Sequence, residues 1–136
     1  EDILQKLNSI LSMVEKVEAR SPQIVAEYRE KLMTKVAELL GATNVDQMVL
    51  ATEITVFADK ICVDEETVRL RAHVDNMKKT LDCKENVGRK LDFIAQEMNR
   101  EANTTLSKAN DIELSNLAID LKTEIEKIRE QIQNIE

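Results

Sequence analysis

Hydrophobic residues recur at helical spacing along most of the chain, and the pattern is most regular near its C-terminal end. There, two apolar rows repeat every seven residues over several helical turns. A sustained heptad pattern predicts a coiled-coil-like helix that needs a facing partner along most of its length, either within the chain or on another copy. The rows consist of Leu114, Leu121, Ile128 and Ile135, and of Ala118, Ile125 and Ile132.

The same periodicity predicts further helices in the rest of the chain. Ser21 and Pro22 are typical of an N-cap and a first helical position, so we expect a break there, and Gly41 is a typical C-terminal cap. The first two helices are candidates for a long antiparallel pair, which predicts a helical hairpin over residues 1–43 and a C-terminal domain over 44–136. The predicted helices cover approximately residues 1–19, 22–40, 44–60, 64–81 and 88–107.

Composition favours an all-α fold. Hydrophobic residues make up 43% of the chain and aromatic residues only 2%, so the core must consist of aliphatic side chains, alanine and methionine. Two glycines and one proline leave little turn chemistry for β-hairpins. We therefore predict an all-α helical bundle of about five to six helices that contains a long antiparallel pair.

Charge and hydropathy narrow the expected partners. The formal net charge of −7 argues against extensive nucleic-acid binding, and we expect no DNA partner. Residues 69–90 nevertheless carry seven cationic side chains against three carboxylates, which indicates either a local anionic ligand or a solvated mixed-charge surface. The sequence has no signal peptide and no apolar run of membrane-spanning length, so we expect a cytoplasmic protein without a membrane partner.

Two carboxylates stand four residues apart on the polar side of the helix that begins near residue 88. Glu97 and Glu101 repel each other on one helix face unless a cation lies between them. Oxygen ligands suit Mg²⁺ or Mn²⁺, which could activate water and neutralise a phosphate. The alternative is an ordinary ion pair with Arg100 or with a lysine from a neighbouring helix.

A second group of polar residues lies on the helix predicted over residues 64–81. Glu66, Arg69 and His73 follow one face of that helix. An arginine can hold a phosphate, and a carboxylate can orient the imidazole for proton transfer. A histidine without such a role is the alternative, and Glu53 and the Ser107–Lys108 pair are further candidates. Because aromatic residues are scarce, we expect any RNA contact to be made to backbone and shape.

Two motifs resemble a known family. The segment GRKLDFIAQEMNREANT from Gly88 to Thr104, followed by SKAND, and the upstream RLRAHV from Arg69 to Val74 are similar to the C-terminal domain of the bacterial YicC/YloC family. The resemblance implies a cytoplasmic, metal-dependent endoribonuclease that acts on RNA as a homo-oligomer. It also implies a longer protein, so we expect an N-terminal half to be missing from this chain.

The resemblance nominates residues for each role. Glu97, Glu101 and His73 are the expected catalytic residues, and Mg²⁺ or Mn²⁺ is the expected cofactor. The expected metal ligands are Glu97, Glu101, Asp92 and Glu53. The expected RNA phosphate ligands are Arg69, Arg89, Arg100 and Lys108. The expected supporting polar residues are Glu66, Gln96, Asn99, Asn103 and Ser107.

Two other classes of function remain open from the sequence. In one, this region is a helical module for oligomerisation, and the chemistry lies elsewhere in the protein. In the other, the protein binds RNA as a regulator without cleaving it. RNA affinity that survives metal removal without any product would favour the second alternative.

Overall fold

The structure is a computed structural model that describes residues 2–41, 46–83 and 87–135. These residues form five helices and no strand, which confirms the all-α prediction. None of these helices is both long enough and apolar enough to cross a membrane. The helices are α1 (Asp2–Leu40), α2 (Gln47–Ile61), α3 (Asp64–Leu81), α4 (Gly88–Lys108) and α5 (Ile112–Ile135).

The first half of α1 forms a four-helix bundle with α3, α4 and α5. Every adjacent pair in this bundle is antiparallel, since side chains near the start of one helix contact side chains near the end of its neighbour. The pairs include Asn8–Lys78 and Glu18–Arg71 between α1 and α3, Arg69–Glu101 and Glu66–Lys108 between α3 and α4, Asp92–Arg129 between α4 and α5, and Asp2–Gln131 and Arg20–Asp111 between α1 and α5.

The heptad rows of α5 face the inside of this bundle. Ala118 is buried, and the leucines and isoleucines from Leu114 to Ile132 on these rows are buried in the same core as Leu7, Ile10 and Val14 of α1 and Met98 of α4. Each fully buried leucine or isoleucine contributes roughly 1.5–3 kcal/mol of transfer free energy. The facing partner that the heptad pattern requires is therefore provided within the chain, by α1 and α4.

The predicted break at Ser21–Pro22 is wrong, because α1 continues through Pro22 without interruption. Proline lacks the N–H that would bond to the carbonyl four residues earlier. Contacts on both sides bridge this position: Arg20 donates hydrogen bonds to Glu27, and Ile24 is buried in the core. Residues 1–43 thus do not form the expected hairpin. The predicted boundary at residues 43 and 44 lies outside the described residues.

The second half of α1 extends beyond the bundle and packs against α2. Tyr28 and Phe57 stack with their ring centroids 3.8 Å apart, and Leu50 of α2 is buried. Asp46 caps α2 by accepting a hydrogen bond from the backbone N–H of Met48 at 2.9 Å. This arm is less well covered than the bundle, because several of its large hydrophobic side chains are exposed. They include Leu39, Leu40, Met48, Val49 and Val56.

Candidate active site between two helices

Buried charged groups lie where the start of α3 meets the end of α4. Glu66 stands in the first turn of α3, and Lys108 stands in the last turn of α4. An acidic side chain favours the positive end of a helix dipole and a basic one the negative end. Since the two helices are antiparallel, these ends adjoin, and the residues meet across the seam.

Lys108 holds the carboxylate of Glu66. Its Nζ donates hydrogen bonds to Oε2 of Glu66 and to the backbone carbonyl of Cys62, both at 3.0 Å. Glu66 is only 2% exposed, whereas the lysine reaches the surface. A buried carboxylate requires such a partner, because its transfer from water is otherwise very unfavourable.

Arg69 connects Glu66 to a second buried carboxylate. Its Nε lies 3.0 Å from Oε2 of Glu101, and its other nitrogens lie 3.7 Å from Glu65 and 3.9 Å from Glu66. Hydrogen bonding to Glu101 raises the pKa of the guanidinium above its ordinary value. We name the four residues Glu66, Arg69, Glu101 and Lys108 the seam cluster.

One atom of the seam cluster is left without a partner. Oε1 of Glu66 is buried and has no hydrogen bond within the described residues. A buried polar atom without a hydrogen bond typically costs about 1–3 kcal/mol, and more when it is charged. Such atoms are uncommon in native proteins and mark places where a water molecule, a proton or a ligand completes the hydrogen bonding.

His73 and Glu97 continue the same seam one helical turn further along. Arg69 faces Glu101, so the antiparallel register brings His73 to the level of Glu97. Both side chains are half-buried, and neither forms an ion pair within the part of the chain that the structure describes. The sequence-predicted residues of this seam are therefore assembled from two helices.

The four carboxylates predicted to hold a metal do not come together. Asp92 faces α5, where it accepts hydrogen bonds from Arg129 at 3.2 Å and from Gln96 at 3.0 Å. Glu53 lies on α2 and lines an apolar cavity in the arm. Within residues 2–41, 46–83 and 87–135 no three histidine, cysteine or acidic side chains are grouped to hold a metal ion. Only Glu97 and Glu101 remain as neighbours.

The remaining candidates divide between two sides of α4. Asn99 is half-buried on the side that carries Asp92, away from the seam cluster. The others point to solvent and include Arg89, Gln96, Arg100, Asn103 and Ser107. The alternative expected for Glu101, an ion pair with a neighbouring helix, is present, but its partner is Arg69 rather than a lysine.

Sequence reasoning missed Phe93. This side chain is 61% exposed among the polar residues of α4. The available signal was its position, because Phe93 lies off the apolar stripe formed by Leu91, Ile94, Ala95 and Met98. The scarcity of aromatic residues predicts RNA contacts to backbone and shape, so it gives no reason to select this ring.

Comparisons with known proteins agree with the resemblance noted from the motifs. The family model described as endoribonuclease YicC-like, C-terminal, matches residues 17–136. The chain is 44% identical over its whole length to the protein named probable endoribonuclease YicC of Clostridioides difficile, and covers 47% of that protein. It is 39% identical over 98% of its length to the protein of the same name from Haemophilus influenzae, and covers 46% of it. The chain thus spans about half the length of these relatives.

Proposed function

Because this chain belongs to the YicC-like endoribonuclease family, matching its C-terminal domain, we propose that the seam cluster binds RNA phosphate and takes part in RNA cleavage. The observation that carries the proposal is the state of Glu66. Its buried carboxylate lies between two cations and keeps one oxygen without a hydrogen bond. A charge cluster built only for stability has no need of an unsatisfied oxygen.

The two cations are arranged to face an anion. Arg69 is 47% exposed and Lys108 is 35% exposed, while their carboxylate partners lie behind them. The carboxylates hold the cationic groups in position before the ligand arrives. A guanidinium binds phosphate through two parallel N–H donors, and an ammonium acts as a point charge beside it.

His73 is the proposed proton-transfer residue. Cleavage of a phosphodiester requires removal of a proton from the attacking oxygen and delivery of a proton to the leaving oxygen. Histidine is the side chain best suited to this exchange near neutral pH. The position of His73, one turn from Arg69 on α3, brings the imidazole next to the proposed phosphate site.

A divalent ion belongs to the proposal through Glu97 and Glu101. Mg²⁺ is commonly bound by one or two carboxylates together with phosphate oxygens of the substrate, so two adjacent carboxylates fit part of such a site. When bound, Mg²⁺ or Mn²⁺ would neutralise phosphate charge and lower the pKa of a water molecule. Glu101 is held by Arg69, and the pair must loosen if Glu101 is to become a ligand.

Homo-oligomer formation is also part of the proposal. The exposed apolar side chains of the arm, including Met48, Val49 and Leu40, offer surface that a second copy could cover. The heptad rows of α5 from Leu114 to Ile132 do not supply that surface, because these side chains are buried within one chain. Light scattering on the full-length protein measures its molecular mass and therefore the number of subunits.

The test of the site compares two arginines of α3. Arg69→Ala should lower the rate of RNA cleavage about 100-fold, as loss of a transition-state donor typically does. Arg71→Ala is the matched control, because Arg71 pairs with Glu18 on the opposite side of α3 and should leave cleavage unchanged. Both variants are measured in the full-length protein after thermal unfolding confirms that they are folded. Equal rates for Arg69→Ala and the parent would reduce the cluster to a structural role.

The metal part has its own experiment. Cleavage is measured with Mn²⁺ and with EDTA for the parent protein and for Glu97→Gln, which keeps the size of the side chain. We expect EDTA to abolish cleavage by the parent and the variant to lose most of its response to Mn²⁺. Cleavage that persists in EDTA would remove the metal from the proposal and leave the phosphate site standing.

A further inference from the structure

Phe93 differs from the other aromatic residues of this chain. Tyr28 and Phe57 stack against each other in the arm, whereas Phe93 is 61% exposed on α4. Its ring therefore presents a face to solvent within the bundle that carries the seam cluster. The chain contains three aromatic residues, and Phe93 is the one whose side chain is exposed.

The exposed charged side chains of α4 carry one sign of charge, whereas its carboxylates Asp92 and Glu97 are half-buried and Glu101 is buried. The exposed side chains of α4, a helix described in full, include three cations and no carboxylate. Other exposed helix faces of the bundle carry both signs, as Asp75 and Lys79 do on α3. The exposed residues of α4 are Arg89, Lys90, Phe93, Gln96, Arg100, Asn103 and Ser107.

We propose that Phe93 is a base-stacking platform for single-stranded RNA, with Arg89 and Arg100 binding phosphates on either side of the stacked base. Proteins that bind single strands combine cations along the backbone path with aromatic faces on which bases stack. Arg89 lies one turn before Phe93, and Arg100 lies two turns after it on the same side of the helix. We name these three residues and Gln96 the stacking strip.

The stacking strip leads toward the seam cluster. Phe93 and Glu101 are eight residues apart on α4, which is about 12 Å along the helix axis. About three to four nucleotides at a stacked rise of 3.4 Å cover that distance. One strand can therefore stack a base on Phe93 and place a phosphate at Arg69. The inference rests on the proposed function, because it takes RNA as the ligand. What it adds is that the RNA substrate is single-stranded.

The chemistry favours a nucleic acid over a protein on this surface. Charged residues are depleted from the centres of protein interfaces, whereas exposed cations lie on both sides of Phe93 along α4. A duplex is also disfavoured, because its bases are already stacked on each other and offer no free face. An unpaired strand supplies both the phosphates and the free base.

The experiment measures RNA binding by the full-length protein in EDTA, which separates binding from cleavage. The probes are a fluorescent single-stranded oligoribonucleotide, the same backbone with abasic positions, and the corresponding duplex. We expect Phe93→Ala to weaken single-strand binding about 5- to 100-fold, the usual range for loss of one stacking contact. It should leave abasic and duplex binding unchanged, and Phe93→Trp should retain or strengthen single-strand binding.

Val68→Ala is the matched control. Val68 is 65% exposed on α3 but is aliphatic, so its truncation should not alter binding to any of the three probes. Equal losses of Phe93→Ala on the normal and abasic strands would overturn the stacking role. A fall in molecular mass by light scattering with unchanged RNA affinity would instead identify Phe93 as a protein contact and overturn the inference.

The outcomes also separate this inference from the proposed function. Binding that depends on Phe93, in a protein that does not cleave RNA under any metal condition, would support the stacking strip and contradict the endoribonuclease proposal. Cleavage that depends on Arg69 but not on Phe93 would do the reverse. A full-length protein that binds none of the probes would overturn both.

Discussion

Two groups of ion pairs join helices in this bundle, and they differ in how completely their atoms are bonded. At the seam between α1 and α5, Arg20 makes two close nitrogen–oxygen contacts with each of two carboxylates, and a third carboxylate, that of Glu113, lies 3.6 Å away. Arg20 binds Asp111 at 2.7 and 3.1 Å and Glu27 at 2.7 and 3.0 Å. Asp111 also caps α5, by accepting a hydrogen bond from the backbone N–H of Leu114 at 3.0 Å.

The seam cluster between α3 and α4 is built from the same residue types but is incomplete. Glu66 keeps a buried oxygen without a hydrogen bond, and Arg69 makes only one close contact with the three carboxylates near it. Charge-assisted bidentate pairs are the stronger arrangement for a fixed structure. The Arg20 cluster thus uses its bonding capacity more fully, whereas the seam cluster keeps some of it free, as the proposed ligand site requires.

The largest expected effect on stability comes from removing Lys108. Lys108→Met leaves the Glu66 carboxylate buried with only Arg69 nearby, at 3.9 Å. We expect the free energy of unfolding to fall by about 2–3 kcal/mol, because the buried charge of Glu66 loses its partner. Urea denaturation measures the change, and Lys108→Arg, which keeps the charge, should cost much less. A negligible loss of unfolding free energy in Lys108→Met would mean that water reaches Glu66 between α3 and α4 and hydrogen-bonds to its carboxylate.

The next largest effect concerns the Arg20–Asp111 pair and the free energy of unfolding at low pH. Hydrogen bonding from Arg20 lowers the pKa of Asp111 below its ordinary value of 3.8. A lowered pKa contributes stability that is complete above the unfolded-state value and is lost as the pH falls through the folded-state value. Asp111→Asn removes this charge but keeps a side chain that can cap α5. We expect it to flatten the fall in unfolding free energy as the pH drops below the ordinary carboxyl pKa of 3.8.

Asp111→Ala is the companion variant, since it removes the cap as well as the charge. It should lose about 1 kcal/mol more than Asp111→Asn at every pH, which is the usual contribution of an N-cap. Urea denaturation across the pH range measures both. An asparagine variant with the acid sensitivity of the parent would show that the Arg20 contacts add no charge-dependent stability, and the contrast between the clusters would weaken.

Sequence periodicity predicted much of the fold because apolar stripes on long helices report burial directly. The buried rows of α5, and helices close to α3 and α4, follow from the spacing of leucine, isoleucine and valine. The prediction failed at Pro22, where a local rule for helix starts competed with tertiary contacts. Burial of Ile24 and the bonds of Arg20 hold α1 continuous there, and neither can be seen in the local sequence.

The candidate site was predicted less completely, for a geometric reason. A helix pattern identifies polar positions at the edges of an apolar stripe, but it does not identify the neighbouring helix that each edge meets. Asp92 and Glu101 are therefore both predicted as ligands of one metal ion, although they lie on neighbouring polar rows of the helix. In the structure Asp92 meets Arg129 of α5 and Glu101 meets Arg69 of α3. The pairing of Glu66 with Lys108 likewise depends on the antiparallel register, which single helices do not reveal.

The smallest expected effect belongs to a third pair, which separates bonding geometry from burial. Arg71 contacts Glu18 across α1 and α3 at 2.6 and 3.0 Å, as close as the contacts of Arg20, but both side chains are about two-fifths exposed. Solvent screening should limit the coupling free energy of this pair to about 0.2–1 kcal/mol. A double-mutant cycle with Arg71→Ala and Glu18→Ala measures it, and the value should fall further in 1 M NaCl, where the Debye length is about 3 Å. Coupling that is larger than this and insensitive to salt would show that geometry alone sets the strength of these pairs. In that case the missing hydrogen bond of Glu66, rather than its burial, would become the main distinction between the seam cluster and the structural pairs.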